Sequence, residues 1–253
     1  MSAFAPLDTL DGRVAVIAGG LGAVGRATAV RLAAKGARVV LLHRKEGDAA
    51  SPMLATLAGE GHFDVRASIT ESAQLAQAAS LVRERCGRVD ILVNTAGFTK
   101  PVAAANLDAL DDALIDEIFR SNWRGVFATI RAFLPLLQET GDGVIVNVSS
   151  IAGLTGTGSN LAYSASKAGL DVMAKGLARA LAPKVRVLNV SPGVVESTFV
   201  PGRGADFNAK AAAGTPLQRV GQAEDVAAAI EACATTLRFA TGQVFVVDGG
   251  RTL

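Results

Sequence analysis

The chain has 253 residues, a formal net charge of +2, and a composition that is half hydrophobic and only 5% aromatic. This length suits one α/β domain with a core of buried strands. No apolar stretch reaches the roughly 18 residues that cross a bilayer, and residues 1–11 lack a signal-peptide pattern. Basic residues do not cluster with aromatic ones, so the sequence argues against nucleic-acid binding as well as membrane insertion.

The few cysteine and histidine residues exclude further kinds of site. Cys86 and Cys233 lie far apart, and a chain of this length needs no disulfide, so we expect two buried reduced thiols and a cytoplasmic protein. His43 and His62 have no obvious partner in the sequence. We therefore expect no metal site and no Ser-His-Asp triad.

Short apolar runs alternate with amphipathic segments along the whole chain. The predicted strands are 13–18, 38–42, 63–67, 90–93, 144–149, 185–190 and 244–247. The predicted helices are 24–35, 72–86, 108–138, 162–181 and 223–234. Such alternation is typical of parallel strands joined by right-handed crossovers. The sequence therefore predicts an α/β fold: one doubly wound Rossmann domain over residues 1–253, with about seven parallel strands flanked by helices on both faces.

A glycine-rich turn follows the first predicted strand and opens into a helix; it reads Ala18-Gly19-Gly20-Leu21-Gly22-Ala23-Val24-Gly25. Glycines at such a turn let the backbone approach a pyrophosphate, and the helix start offers free N–H groups. A glycine turn alone is weak evidence, but its place in the first strand-to-helix turn favours dinucleotide binding.

A basic run, His43-Arg44-Lys45, follows the second predicted strand. An acidic residue here would bind the ribose hydroxyls of NAD, and none is present. The Arg44 guanidinium matches a 2′-phosphate in charge and geometry, which favours NADP(H) as the cofactor. A solvated basic turn and use of NAD(H) remain the alternatives.

Tyr163 and Lys167 stand one turn apart at the start of a predicted helix, so both side chains point the same way. A phenol with a pKa of about 10 is a poor proton shuttle at neutral pH, and a nearby ammonium lowers that pKa. The tuned phenol can then exchange a proton with a carbonyl or alcohol oxygen. Ser150 follows a predicted strand at its carboxyl end, where it can hydrogen-bond the substrate oxygen or simply form a helix cap or a turn.

Together these residues resemble the short-chain dehydrogenase/reductase family over nearly the whole chain. The family landmarks occur in order: the glycine turn, Asn94-Thr95-Ala96-Gly97, Asn122, Ser150, Tyr163, Lys167, Pro192-Gly193 and a closing Thr241-Gly242-Gln243 to Asp248-Gly249-Gly250. The resemblance implies a catalytic tetrad of Asn122, Ser150, Tyr163 and Lys167. In it Ser150 holds the substrate oxygen, Tyr163 is the acid or base, Lys167 binds the nicotinamide ribose, and Asn122 holds a proton-relaying water.

The resemblance also implies a set of cofactor contacts along the chain. They are Gly19, Leu21, Val24, Gly25, His43, Arg44, Ser68, Ile69, Asn94, Ala96, Gly97, Tyr163, Lys167, Pro192, Gly193, Val195 and Thr198. Three positions depart from the family pattern: Ala18 and Ala23 replace a threonine and a glycine of the turn, and Ser68 replaces an aspartate that contacts adenine. Family members that prefer NADP often carry a basic residue where this chain has Gly22, so Arg44 has to act largely alone.

The substrate side is less defined by sequence. Residues 194–214 follow Pro192-Gly193 and match the loop that covers the substrate in the family; loops of this type often become ordered on binding. The candidate substrate contacts are Phe98, Ser150, Ala152, Tyr163 and Phe199. By resemblance, the apolar helices 108–138 and 162–181 form a subunit contact in a homotetramer.

The leading functional hypothesis is hydride transfer between NADP(H) and a small ketone or secondary alcohol. An NAD-dependent alcohol or polyol dehydrogenase of the same fold is the first alternative. A catalytically idle cofactor-binding regulatory subunit is the second, and an epimerase or dehydratase is a third. The sequence identifies no particular substrate.

Overall fold

The computed structural model describes residues 7–202 and 206–253, and within them it contains one seven-stranded sheet in which every neighbouring pair is parallel. The strands are β1 (Val14–Ala18), β2 (Arg38–His43), β3 (Phe63–Arg66), β4 (Ile91–Asn94), β5 (Gly143–Val148), β6 (Val185–Pro192) and β7 (Val244–Val247). They lie in the order β3-β2-β1-β4-β5-β6-β7. The predicted doubly wound Rossmann fold is confirmed.

Helices cover both faces of the sheet. They are α1 (Ala23–Ala34), α2 (Ser51–Leu54), α3 (Ser72–Cys86), α4 (Asp112–Phe119), α5 (Gly125–Thr140), α6 (Ala152–Thr155), α7 (Leu161–Leu181), α8 (Phe207–Ala213) and α9 (Ala223–Thr235). The short helices α2, α6 and α8 escape the sequence analysis because fewer than eight residues give no readable periodicity. Helix α8 lies within the predicted loop 194–214, of which residues 203–205 fall outside the described part of the chain.

The apolar core has two layers, one on each side of the sheet. Alternate residues of β1 point to opposite faces, as the period of a strand requires. Val14 and Val16 pack with residues of α3, α5 and α7, whereas Ala15 and Ile17 pack with residues of α1 and α9. Burial on both faces explains why these strands appear in the sequence as continuous apolar runs.

The helix predicted over 108–138 differs from the structure at both ends and in the middle. It begins at Asp112 because the Asp111 carboxylate caps it, accepting a hydrogen bond from the Leu114 N–H at 2.8 Å. It ends at Thr140, where Gly141 takes the left-handed conformation. Between α4 and α5 it widens into one π-helical segment (Arg120–Arg124), the π-turn. A single wide turn of this kind is often found at functional sites.

The structure gives His43 a partner, Asp64, that the sequence does not show. Both cysteines are free; Cys233 is buried as predicted, but Cys86 is only partly buried. His43 contacts Asp64 at 3.0 Å, and among the described residues no group of His, Cys, Asp and Glu is arranged to hold a metal ion. None of the described helices combines the length and hydrophobicity needed to span a bilayer.

Candidate active site

A cleft of about 770 Å³ opens at the carboxyl ends of the central strands. Ligands of open parallel sheets bind at this edge, where the strand order reverses, here between β1 and β4. The size fits a small-molecule site. Twelve of the predicted site residues line the cleft: Val24, Gly25, Gly97, Ser150, Ala152, Tyr163, Lys167, Pro192, Gly193, Val195, Thr198 and Phe199.

The turn between β1 and α1 is built so that only glycine fits at two positions. Gly19 has a φ of +81°, and a Cβ there would lie 2.7 Å from the Ala96 backbone nitrogen. A Cβ on Gly25 would lie 2.3 Å from the Gly19 carbonyl oxygen. Gly22 is under less constraint, because its φ is −77° and its Cβ would meet the same oxygen at 3.3 Å. Replacement of the family's middle glycine by Ala23 is compatible with this turn, since Ala23 is simply the first helical residue.

The start of α1 leaves backbone donors available to a ligand. No side chain caps this end, and the first turn holds no acidic residue. The first intrahelical acceptor serves Arg26, so the N–H groups of Ala23, Val24 and Gly25 have no helical partner. All three residues line the cleft. Free N–H groups and the positive end of the helix dipole make this point attractive to a phosphate group.

Tyr163 and Lys167 lie side by side in the cleft, as their spacing on α7 predicts. The helix start is fixed by Asn160, whose side-chain oxygen accepts a hydrogen bond from the Tyr163 N–H at 2.7 Å. The Lys167 ammonium donates to the Val148 carbonyl oxygen at 2.8 Å and lies 5.7 Å from the centre of the Tyr163 ring. This arrangement places a positive charge beside the phenol.

Burial makes the Lys167 ammonium unusually acidic. It lowers the pKa of this group to about 8, and the Asp171 carboxylate one turn further along α7 opposes that change. Asp171 is itself 5% exposed, and its Oδ2 has no hydrogen-bond partner among the described residues. Its Oδ1 accepts a hydrogen bond from Asn189 at 2.7 Å.

Asn189 is the end of a row of buried amides that crosses the sheet below the cleft. Asn94 on β4 donates to Asn147 on β5 at 2.9 Å, and Asn147 donates to Asn189 on β6 at 3.0 Å. We call Asn94, Asn147 and Asn189 the amide row, and its Asn189 end contacts the Asp171 carboxylate. The predicted cofactor residue Asn94 is thus tied into the sheet and is only 2% exposed.

Ser150 lies where β5 leads into α6. Its oxygen accepts a hydrogen bond from the Ala152 N–H at 3.1 Å, which is the turn contact considered for it in the sequence, whereas the N-cap of α6 is Ile151. That contact uses the oxygen only as an acceptor, so the hydroxyl proton stays available to a ligand in the cleft.

Asn122 occupies the π-turn and lies behind the cleft rather than in it. It is fully buried, and its side-chain oxygen accepts a hydrogen bond from the Phe98 N–H at 2.7 Å. Its side-chain nitrogen donates to the Phe98 carbonyl at 2.9 Å and to the Ser166 hydroxyl at 3.2 Å. The Asn122 amide therefore fixes the segment after β4 against α7.

The residues expected to contact the adenosine part of the cofactor lie outside the cleft. His43 ends β2 with its ring turned to Asp64, whereas Arg44 is exposed and makes no hydrogen bond or ion pair with other described residues. The Ser68 hydroxyl contacts Thr70 at 2.9 Å, and Ile69 packs against Gly125. The predicted cofactor residues that do not line the cleft are Gly19, Leu21, His43, Arg44, Ser68, Ile69, Asn94 and Ala96.

Several lining residues have no signal in the sequence. The predicted substrate residue Phe98 packs with Leu114 and Ile118 instead of lining the cleft. Residues 101–104 and 157–159 form part of the wall, and Arg251 reaches it from beyond β7. Phe199 was predicted, and its ring lies 6.2 Å from the ring of Tyr163. The others belong to irregular segments whose position only tertiary packing determines.

Known proteins resemble this chain over nearly its whole length. Residues 20–252 match the family model described as enoyl-(acyl carrier protein) reductase. A putative ketoacyl reductase of the granaticin polyketide synthase from Streptomyces violaceoruber is 36% identical, over 97% of this chain and 98% of the relative. The cis-4-hydroxycyclohexanecarboxylate dehydrogenase of Sinomonas cyclohexanicum is 35% identical, over 95% of this chain and 96% of the relative. A putative short-chain dehydrogenase/reductase from Burkholderia xenovorans has a TM-score of 0.89 at 33% identity, over 95% of this chain and 98% of that one.

Fold, cleft and relatives define a Rossmann-fold oxidoreductase that acts on C=O and CH–OH groups. The chain belongs to the short-chain dehydrogenase/reductase family, as the order of its motifs predicts.

Proposed function

We propose that this protein transfers a hydride between NADP(H) and a ketone or secondary alcohol, within a single domain over residues 1–253. The observation that carries the proposal is the pairing of Tyr163 with Lys167 in the cleft that also contains the free N–H groups of α1. One side of the cleft can thus hold a phosphate group while the other moves a proton.

The chain's own residues fit a nicotinamide dinucleotide. A Cβ would fill the space beside Gly19, and the uncapped start of α1 faces the cleft. Gly25 and Val24 would adjoin the pyrophosphate, Lys167 would bind the nicotinamide ribose, and Arg44 would meet a 2′-phosphate. When bound, the cofactor supplies the hydride.

In the reduction direction, the Ser150 hydroxyl donates a hydrogen bond to the substrate carbonyl oxygen. As that oxygen gains negative charge, the phenol of Tyr163 gives it a proton, and the product is an alcohol. The ammonium of Lys167 stabilises the phenolate that is left, because opposite charges lie close together in a buried site. In the oxidation direction, the phenolate takes the proton back.

Asn122 completes the proposed tetrad in an indirect way. Its side-chain oxygen and nitrogen are already engaged with Phe98 and Ser166. A water that relays protons to Lys167 would therefore be held by the main-chain carbonyl of Asn122, in the π-turn, where the regular helical hydrogen bonding is interrupted.

The first prediction concerns Tyr163, the only tyrosine in the chain. Tyr163→Phe removes the proton donor but keeps the ring, so we expect the rate of ketone reduction to fall by about 100- to 10,000-fold. The measurement is the loss of NADPH absorbance with a panel of small ketones. Calorimetry with NADPH provides the control, because the variant should still bind the cofactor.

Two results would count against this proposal. Equal turnover by the wild type and Tyr163→Phe would remove Tyr163 from the chemistry. Tight NADPH binding without turnover of any ketone or alcohol would favour the alternative of an idle regulatory subunit.

The second prediction concerns cofactor preference. Arg44→Asp replaces the cation expected at the 2′-phosphate by an anion, so the ratio of the dissociation constants for NADPH and NADH should reverse, with NADPH weakened about 10-fold or more. Lys184→Asp is the matched control: it makes the same charge change on an exposed residue at the amino end of β6. Equal affinity of the wild type for both cofactors would favour the NAD-dependent alternative instead.

A homotetramer is proposed on the same basis, by likeness to the family. A cytoplasmic location and a small-molecule carbonyl or alcohol as the partner are proposed with it.

A further inference from the structure

Arg251 is a second cation in the cleft, and the proposed hydride transfer gives it no role. Of the described residues that line the cleft, Lys167 and Arg251 are the two that carry a charge, and neither aspartate nor glutamate is among them. Lys167 is engaged with Val148 and placed beside Tyr163. The role of Lys167 therefore does not explain why Arg251 lines the cleft.

Among the described residues, contacts hold the guanidinium of Arg251 through one nitrogen only. Its Nη1 donates to the Ala211 carbonyl oxygen at 2.8 Å and contacts the Thr215 hydroxyl oxygen at 3.2 Å. The Thr215 hydroxyl also donates to the Ala211 carbonyl at 2.8 Å, and Thr215 is 3% exposed. These contacts use both hydrogens of Nη1 and fix the plane of the guanidinium beneath α8.

The other N–H groups of Arg251 are arranged as a fork that can bind a carboxylate. The Nε–H and the two Nη2–H groups of Arg251 have no hydrogen-bond or ion-pair partner in residues 7–202 and 206–253. Nε and Nη2 together present two parallel N–H groups, the fork that binds both oxygens of a carboxylate. An arginine anchored at one nitrogen loses little entropy when such a ligand binds, because its orientation is already set.

Much of the cleft lining is apolar. Phe199 packs near Tyr163, and Phe207 begins the helix that Arg251 braces. Val102 and Val200 add to the same wall. A ligand that reaches both ends would therefore carry a ketone or hydroxyl at one end, an apolar body, and an anion at the other.

We propose that Arg251 is a carboxylate-binding subsite, and that the substrate is an oxo acid reduced to a hydroxy acid, or the reverse. The proposal rests on the proposed function for its reacting end but not for Arg251 itself. The competing explanation is that Arg251 only braces α8, in which case its loss would disturb charged and neutral substrates alike.

The test compares levulinate and its longer homologues with their methyl esters, which keep the ketone and remove the charge. For the oxo acid whose length suits the cleft, we expect Arg251→Met to raise KM about 10-fold or more while the value for the ester stays the same. Arg251→Lys should fall between, because a point charge cannot form the fork. The chain length with the lowest KM in the wild type measures the span from Tyr163 to Arg251.

Arg83→Met is the charge-matched control. Arg83 lies on the last turn of α3 and pairs with Glu139 at 2.7 Å, away from the cleft. The Arg83→Met variant should leave the preference for the acid over its ester unchanged. Calorimetry with each acid and ester in the presence of oxidised NADP measures binding without turnover. The role of Arg251 can therefore be tested even if the protein does not catalyse the proposed reaction.

Three outcomes would overturn the proposal. One is equal affinity of the wild type for acids and esters. Another is an equal loss for both in Arg251→Met, which is the result expected of a brace. The third is weaker NADPH binding in Arg251→Met, which would assign the guanidinium to the cofactor.

Discussion

At the scale of single residues, Asp171 affects the proposed chemistry through Lys167, although Asp171 itself does not line the cleft. Its carboxylate is buried one turn from Lys167 and raises the pKa of that ammonium against the lowering effect of burial. Asn189 fixes one of its oxygens through the amide row. Asp171 is thus placed to keep Lys167 charged near neutral pH, which makes it a positioning residue.

The third prediction follows from the sign of this effect. Reduction needs the Lys167 ammonium, so activity should fall as the pH rises through its pKa of about 8. Asp171→Asn keeps the shape but removes the anion, which lowers the pKa of Lys167 further. The alkaline limb of the profile of kcat/KM against pH should therefore move to lower pH.

Glu84→Gln is the control for this experiment, since Glu84 is an exposed carboxylate on α3. It should leave the profile in place. If Asp171→Asn lowers kcat/KM equally at every pH, Asp171 supports the fold and not the charge of Lys167.

Residues that act through local spacing could be predicted from the sequence. Tyr163 and Lys167 share a helix face, and Ser150 follows a strand, so the lining of the cleft by all three follows from period and position. Asp171 and Arg251 could not be predicted. Their contacts with Asn189 and Thr215 lie 18 and 36 residues away in sequence.

At the scale of elements, the contact between α6 and α7 sets the position of Lys167 relative to Ser150. A Cβ on Gly153 in α6 would lie 2.7 Å from the Ala168 nitrogen and 2.8 Å from the Lys167 carbonyl carbon. Backbone atoms cannot move aside as a flexible side chain can, so the two helices are in contact through their main chains.

The fourth prediction compares two glycine-to-alanine changes. Gly153→Ala should push α6 from α7, lower the free energy of unfolding by about 1 to 3 kcal/mol, and reduce kcat. Gly176→Ala on α7 is the matched control, because a Cβ there meets nothing within 4 Å. In a helix interior that change should stabilise by about 0.5 to 1 kcal/mol. Thermal unfolding at one protein concentration would show whether each change raises or lowers the stability. An unchanged stability in Gly153→Ala would contradict the close contact between α6 and α7.

Long elements were predictable and their interruptions were not. Helices α1, α3, α7 and α9 lie within a few residues of their predicted bounds because their apolar periods are long, and the strands do so because burial on both faces makes them continuous apolar runs. The π-turn left no such signal. It depends on the contacts that Asn122 makes with Phe98 and Ser166, which come from two other parts of the chain.

At the scale of the whole molecule, exposed apolar side chains on the helices expected to join subunits support the proposed oligomer. Val172 on α7 is 69% exposed. Trp123 stacks on Phe127 with their ring centres 5.9 Å apart, and Trp123 remains partly exposed. Apolar groups like these are costly in water unless another surface covers them.

The fifth prediction is that the protein sediments as a homotetramer and that Val172→Glu dissociates it, because the charge would be buried in the contact. Analytical ultracentrifugation measures this directly. Val30→Glu on α1 provides the control, since Val30 is an exposed valine outside both predicted contact helices. A monomeric wild type, or equal dissociation by the two variants, would remove α7 from the interface.

The strand order has a consequence for how the chain forms during synthesis. β2 pairs with β1, β3 with β2, β4 with β1, and each of β5, β6 and β7 with the strand made just before it. Every strand thus joins one that has already left the ribosome, and only the second edge of β1 stays unpaired while β2 and β3 are made, until β4 follows. The nascent chain can add to one growing sheet, and Arg251 braces α8 only after all seven strands are in place.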